Sequence, residues 1–181
     1  MNPYCQYVKN LNKKNVDKHY HDNEYGFPLN CDNELFGRLI LEINQAGLSW
    51  STILKKKHNI RKAYSNYNIN KISKYKENDI NSLMNNKTII RHKSKIESII
   101  YNANQILKII NKYGSFKNWL DKNATSDISL WIIIFKKNFK FTGNKITKEF
   151  LMSTGYIKGA HNAKCPIYNL VLKKSPKWNQ I

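Results

Sequence analysis

The sequence predicts an all-α fold in a single domain, and three observations predict it. Apolar residues recur every three or four positions, with little period-two alternation anywhere. Capping residues stand where those periodic stretches start and stop, among them Ser49, Asp127, Gly114 and Gly155. The 181 residues contain no repeat, low-complexity linker or composition break, which suits one domain around one core.

The elements follow in order. The first thirty residues and the last twenty hold no long periodic stretch, so something other than helix packing is expected to organise them. Asp32 or Asn33 can cap a first long helix with apolar positions Leu35, Phe36, Leu39, Ile40 and Ile43. Ser49 can cap the next, through Ile53 and Leu54 to about Ala63. The stretch ENDINSLMNNKTIIRHKSKIESII reads as a short helix, a tight connection and a longer helix. Ser94 to Glu97 (SKIE) has the form of a capping box, and the stripe runs Ile96, Ile99, Ile100, Ala103, Leu107, Ile110 to a stop at Gly114. Asp127 opens another helix, with Asn138 as a left-handed terminator. A last one spans Asn144 to Thr154 and closes at Gly155.

Composition narrows the function classes. The net charge of +19 favours a polyanionic partner, nucleic acid first. The alternative is an AT-rich coding sequence, which would enrich Lys and Asn together without selection for binding. The 12% aromatic content supplies faces on which bases stack. The start, MNPYCQYVKN, is polar and broken by Pro3, unlike a secretory leader. The longest apolar run, Leu130 to Phe135, falls far short of the ~20 residues of a membrane helix, so no membrane association is expected. Three scattered cysteines make a poor disulfide framework. The expected location is the cytoplasm, on the nucleoid if the source is a bacterium.

One residue breaks the pattern of the first long helix. Glu42 follows Leu35 by seven and Leu39 by three and precedes Ala46 by four, which puts it on the apolar stripe. A buried, unpaired carboxylate costs several kcal/mol, so it needs a partner; the bland alternative is a stripe-edge glutamate leaning into solvent or pairing with a lysine. The helix then stops at once in Gly47-Leu48-Ser49-Trp50. Gly47 permits close backbone approach, Leu48 is an apolar tip, and Trp50 offers a broad π surface. Carboxylate plus aromatic face suits a flat, electron-poor, hydrogen-bond-donating ring such as a cationic alkylated purine.

Four segments carry a resemblance. YHDNEYGFP (Tyr20 to Pro28), LEINQAGLSWSTILKKK (Leu41 to Lys57), IIRHKSKI (Ile89 to Ile96) and FKFTGNKITKEFLMSTGYIKGAHNAKC (Phe139 to Cys165) resemble, in order and spacing, the 3-methyladenine DNA glycosylase I family. Only the last fifteen or so residues lie outside the resemblance. It implies a helix-hairpin-helix glycosylase: one domain over 1–181, with the hairpin at about 79–110. It also implies base-excision repair, in which alkylated adenine is flipped out of duplex DNA and its N-glycosidic bond hydrolysed by a monofunctional enzyme. By the same resemblance Glu42 is the catalytic carboxylate facing the adenine edge, Tyr20 and Trp50 stack on the base, and Tyr7 and Tyr25 stand where the family has tryptophans. Gly47 and Leu48 plug the gap left in the DNA, and Lys87, Arg91, Lys93 and Lys95 supply charge to the hairpin. A monomer is the expectation from the class.

A second constellation is Cys5, His21, His161 and Cys165. Thiolates and imidazoles suit tetrahedral zinc, and His161-x-x-x-Cys165 fits one helical face or turn. Unaided, such a pair can arise by chance, and His19 competes with His21; the resemblance matches these four to the family's structural zinc ligands. One ion would then staple about 1–25 to about 155–168, the segments without periodic packing of their own. Cys31 remains a spare thiol. The chain departs from the family's pattern at Thr88 and Ser94 (hairpin glycines), Asp17 (an aromatic) and Met152 (a glutamine). Other classes weighed are a damage-binding protein without excision, a bifunctional glycosylase/lyase, and a zinc-organised RNA-binding protein. The first need not keep Glu42 and Trp50, the second often has four clustered cysteines, and the third has no recognised RNA motif here.

Overall fold

Two short helices open the chain, α1 (Pro3–Lys9) and α2 (Val16–Asn23), the second capped by Asn15, whose side chain accepts from the Asp17 amide. The computed structural model describes residues 3–181, so Met1 and Asn2 of the predicted first segment lie outside them. Helix α3 (Asp32–Gln45) is the centre of the molecule: every residue from Leu35 to Asn44 is buried. A helix buried all round must have neighbours on every side. Here they are α4 (Trp50–Ala63), the 3₁₀ turn Ser65–Tyr67, α7 (Lys93–Tyr113), α8 (Phe116–Lys122) and α10 (Asn144–Ser153). Gly37 permits the closest of these contacts, because a Cβ there would lie 2.2 Å from the Tyr67 ring.

The remaining elements are α5 (Ile69–Ile72) and α6 (Glu77–Asn85) before α7, α9 (Ile128–Asn138) before α10, and α11 (Tyr168–Leu172) and a 3₁₀ turn (Lys177–Asn179) near the end. The all-α, one-domain expectation holds, and no helix among the described residues is long and apolar enough to cross a membrane. Ser49 caps α4 by accepting from the Thr52 amide at 3.2 Å, and Asp127 caps α9 by accepting from Ser129 at 2.7 Å, both as expected. The stripe of α7 is centred on Ile96, Ile99, Ala103, Ile106 and Ile109, with Ile100, Leu107 and Ile110 half-buried on its flank.

Three caps work differently from the expectation. The cap of α3 is Cys31, with no side-chain bond; Asp32 and Asn33 serve other segments. The Asp32 carboxylate accepts from the amides of Phe116 and Lys117, both at 2.9 Å, and so anchors the start of α8. Asn33 accepts from the Ile69 amide at 3.1 Å. Helix α7 begins at Lys93, leaving Ser94 inside the first turn, so SKIE is not a capping box. Asn138 stays helical and donates to the Ile134 carbonyl at 2.8 Å; the left-handed residue beyond α9 is Phe141, with φ 60°. At Asp32 and Asn33 a side chain able to cap locally is taken by a distant partner.

Candidate active site

The C-terminal half of α3, the start of α4, α1, α2 and α10 enclose a cavity of about 620 Å³. Tyr4, Tyr20, Tyr25 and Trp50 wall it, Glu42 and Glu149 enter it from α3 and α10, and Met152, Lys145, Lys148 and Lys158 also line it. The Tyr20 ring lies 5.1 Å from Trp50 at 60° and 5.6 Å from Tyr25 at 35°. These are contact distances between aromatic rings, and they make a rigid wall with little rotamer freedom. The indole nitrogen of Trp50 is buried without a hydrogen-bond partner among the described residues, a donor left over at the cavity.

Glu42 is 4% exposed and makes no ion pair among the described residues. Burial pushes its carboxyl up to about 8, with Glu149 adding to the rise; Arg38 and the Ser153 hydroxyl oppose it. Arg38 stands one turn before Glu42 on α3, yet its guanidinium is directed elsewhere. It donates to the Tyr20 hydroxyl at 2.7 Å, to Glu24 at 3.4 Å and to the Ser153 carbonyl at 3.4 Å, and lies 4.9 Å from the Tyr20 ring centre. Lys57 pairs with the same Glu24. This buried network fixes Tyr20 from behind and leaves Glu42 for whatever enters the cavity.

Of the predicted base-contacting residues, Tyr20, Trp50 and Tyr25 meet at the cavity, while Tyr7 is 52% exposed outside it and stacks on Tyr4. Tyr4 takes the inward position instead. Its hydroxyl donates to the Asp17 carbonyl at 3.1 Å, and Asp17 also accepts from Ser51 at 2.7 Å, which ties α1, α2 and α4 together. The departure at Asp17 is therefore a buried joint, and Met152 lies in the cavity wall. Sequence reasoning missed Tyr4, Gln45, Glu149, Lys145, Lys148 and Lys158. Glu149 carried a signal: it adjoins Phe150 on the amphipathic α10 and follows Ile146 by three.

Beside the cavity, the α3–α4 turn holds Gly47 at φ +82° with open space around it, and Leu48 is exposed at the tip. A shallow groove runs from this turn to Gly143–Ile146. The connection between α6 and α7 leaves Lys87, Arg91 and Lys93 exposed. Lys95 is a correction. It is 4% exposed, and its ammonium donates to the carbonyls of Asn44 at 2.9 Å and Ala46 at 2.7 Å. Those are unsatisfied carbonyls at the C-terminus of α3, where a cation is favoured. Lys95 thus holds the Gly47–Leu48 turn from inside and is not free for a phosphate.

Cys5, His21, His161 and Cys165 come together, all buried, with their ligand atoms within 4.8 Å of one another. The His161 Nε2 faces the Tyr25 carbonyl at 2.7 Å, which leaves Nδ1 for the cluster, 3.4 Å from Cys165 Sγ and 3.8 Å from Cys5 Sγ. His21 Nδ1 meets Asp22 at 2.7 Å, leaving Nε2 at 3.7 Å from Cys165 Sγ. Each imidazole so has its outer nitrogen engaged and its inner nitrogen presented, the arrangement metal-ligating histidines show. Burial pushes the His161 imidazole down to about 4, so that it is neutral, and the Cys5 thiol up to about 11. A buried group of two thiols and two imidazoles, each imidazole presenting one ring nitrogen inward, fits a divalent metal. His19, the competitor, is exposed against Asn23, and Cys31 is an exposed free thiol.

A family model described as Methyladenine glycosylase matches residues 10–133. The chain belongs to the methyladenine glycosylase family. Among curated members, it is 32% identical over 168 residues to DNA-3-methyladenine glycosylase 1 of Escherichia coli K12, covering 82% of this chain and 89% of that protein. It is 31% identical over 166 residues to DNA-3-methyladenine glycosylase of Haemophilus influenzae, covering 81% and 89%. The solved 3-methyladenine DNA glycosylase I of Staphylococcus aureus superimposes with a TM-score of 0.79 at 32% identity, over 86% of this chain and 93% of that one. A variant of a 3-methyladenine DNA glycosylase I in complex with 3-methyladenine gives 0.82 at 31% identity, over 92% and 97%. The family's fold thus extends beyond the matched residues to nearly the whole of this chain.

Proposed function

We propose that the protein is a monofunctional DNA-3-methyladenine glycosylase, releasing 3-methyladenine from double-stranded DNA in base-excision repair and leaving an abasic site. The observation that carries this reading is Glu42, a buried carboxylate with no ion pair among the described residues, facing an aromatic-walled cavity. Methylation at N3 makes the base a cation and a good leaving group. Tyr20 and Trp50 hold that flat cation by stacking and cation–π attraction, worth roughly 1–2 kcal/mol when desolvated. Glu42 accepts hydrogen bonds from the adenine edge and complements its charge. The C1′–N9 bond breaks with its electron pair passing to the base, which leaves neutral; water adds at C1′ and its proton goes to solvent. Little acid–base assistance is needed because the leaving group already carries its positive charge.

Gly47 and Leu48 fill the vacated stack in the DNA, and Lys87, Arg91 and Lys93 bind phosphates at the helix-hairpin-helix of about 79–110 within a single domain of 1–181. The exposure of these residues and the net charge of +19 support this. The metal is zinc, held by Cys5, His21, His161 and Cys165 in a closed structural site that joins the two chain ends. The protein acts as a monomer. Incubation with methylated duplex DNA tests the function: free 3-methyladenine is expected from wild type, and a large loss from Glu42→Gln and Trp50→Ala. Absence of release by wild type overturns the proposed activity, and unchanged release by both variants overturns the site assignment.

A further inference from the structure

Two carboxylates face the cavity, on different helices. Glu42 comes from α3, and Glu149 comes from α10, half-buried, with the Tyr25 hydroxyl donating to it at 3.4 Å. Tyr25 is itself part of the aromatic wall, so this bond aims Glu149 at the same space that Tyr20 and Trp50 enclose. Lys145 and Lys148 on its own helix act on Glu149 through space, and Glu149 forms no ion pair among the described residues. An amine on a base edge needs one acceptor, and Glu42 supplies it. A second acid in the same apolar enclosure adds desolvation and mutual repulsion; Lys145, Lys148 and Arg38 offset part of that cost through space, and an incoming positive charge offsets more of it.

We propose that Glu149 is a specificity-determining residue which, together with Glu42, makes this cavity select nucleobases for their positive charge and not for outline alone. The inference rests on the proposed function and deepens it: the substrate class is cationic, N-alkylated purines, and bases of the same shape without charge are discriminated against. The effect acts on binding of the base, because the base loses its charge as the glycosidic bond breaks.

The test compares a charged base with a neutral one of the same outline. Release of 3-methyladenine from methylated duplex DNA is measured for wild type, Glu149→Gln and Glu149→Asp. Binding is measured in parallel to a duplex carrying 3-methyl-3-deazaadenine, a neutral carbon-for-nitrogen analogue. Glu149→Gln is expected to lower kcat/KM for release about tenfold or more while analogue affinity stays within about twofold. Glu149→Asp, which keeps the charge, is expected to restore most of the release, separating charge from folding should the glutamine variant melt early. Undiminished release by Glu149→Gln, or equal losses for charged base and neutral analogue, overturns the inference. Failure of the wild type to release 3-methyladenine overturns the proposed function itself, so the two failures are distinct.

Discussion

Replacing Lys95 with methionine separates two roles that the sequence alone cannot tell apart. A lysine in a basic hairpin reads as a phosphate contact, but this one is buried and donates to the carbonyls of Asn44 and Ala46 at 2.9 and 2.7 Å. Hydrogen bonds from a charged donor contribute about 1.5–3 kcal/mol each, and methionine recovers part of the loss by sparing the desolvation of the ammonium. A net destabilisation of about 2–4 kcal/mol follows, which for a chain of this size lowers Tm by roughly 4–16 °C. The assay is thermal unfolding together with DNA affinity across a salt series. Each lost phosphate contact reduces the slope of log K against log salt by about 0.9. Lys95→Met is expected to leave that slope unchanged, whereas Arg91→Ala lowers it by about one unit without a comparable loss of Tm. The reasoning is refuted if Lys95→Met lowers the salt slope while melting like wild type.

Burial holds the Glu42 carboxyl at about 8, above its unfolded value of 4.5, so the group is neutral below about 8 and ionised above it. If the carboxylate receives a cationic base, kcat/KM rises with pH toward about 8 and then levels; Glu42→Gln is expected to lack that limb, and a pH–rate profile checks it. Between 4.5 and about 8 the folded state binds more protons than the unfolded one, so this group lowers stability as pH rises. Glu42→Gln is accordingly expected to melt higher than wild type at pH 8, by about 3–5 kcal/mol of stability at most, with the gap closing toward acid. Trp50→Ala removes a stacking face worth about 1–3 kcal/mol and is expected to lower kcat/KM roughly 10- to 100-fold with little change in Tm, measured on methylated duplex DNA. Elemental analysis is expected to find about one zinc per chain; Cys165→Ser is expected to lose it and to unfold several degrees earlier, whereas full zinc content and an unchanged Tm would dismiss the staple.

Much of the fold was legible because its signals are local. The stripes of α3 and α7 and the caps Ser49 and Asp127 depend on residues within one or two turns, and they read correctly. Several of the misread features depend on long-range partners, although Asn138 does not, since it bonds back to Ile134 within its own helix. Asp32 looks like a cap for its own helix but bonds the start of α8, 84 positions away. Lys95 looks solvated but reaches carbonyls about 50 positions earlier. The first thirty residues form only two short helices, and their order comes from burial of Tyr4 against Asp17 and from the cluster that joins Cys5 to Cys165. Tyr7 and Tyr4 lie three apart on α1, and no local pattern says which faces inward; the structure turns Tyr4 to the cavity and leaves Tyr7 outside.

The arginine one turn from Glu42 decides how the buried acid should be understood. An arginine four residues before a glutamate on one helix face is placed to neutralise it, and a neutralised Glu42 would be an ordinary structural pair. Arg38 instead spends its donors on the Tyr20 hydroxyl, Glu24 and the Ser153 carbonyl, and Glu24 is shared with Lys57. Glu24 draws the guanidinium away from Glu42, and Tyr20 gains both a hydrogen bond and a cation near its ring. One network therefore accounts for two properties at once: it stiffens the wall against which a base stacks, and, among the described residues, it leaves Arg38 acting on the acid beneath through space only, with no ion pair. Glu24→Gln puts that account at risk. Freed from its carboxylate, Arg38 should turn toward Glu42 and bring its carboxyl down from about 8 toward the ordinary range. The rising limb of the pH–rate profile should then move to lower pH although no residue lining the cavity has changed; a profile identical to wild type would show that Arg38 is held in place by something other than Glu24.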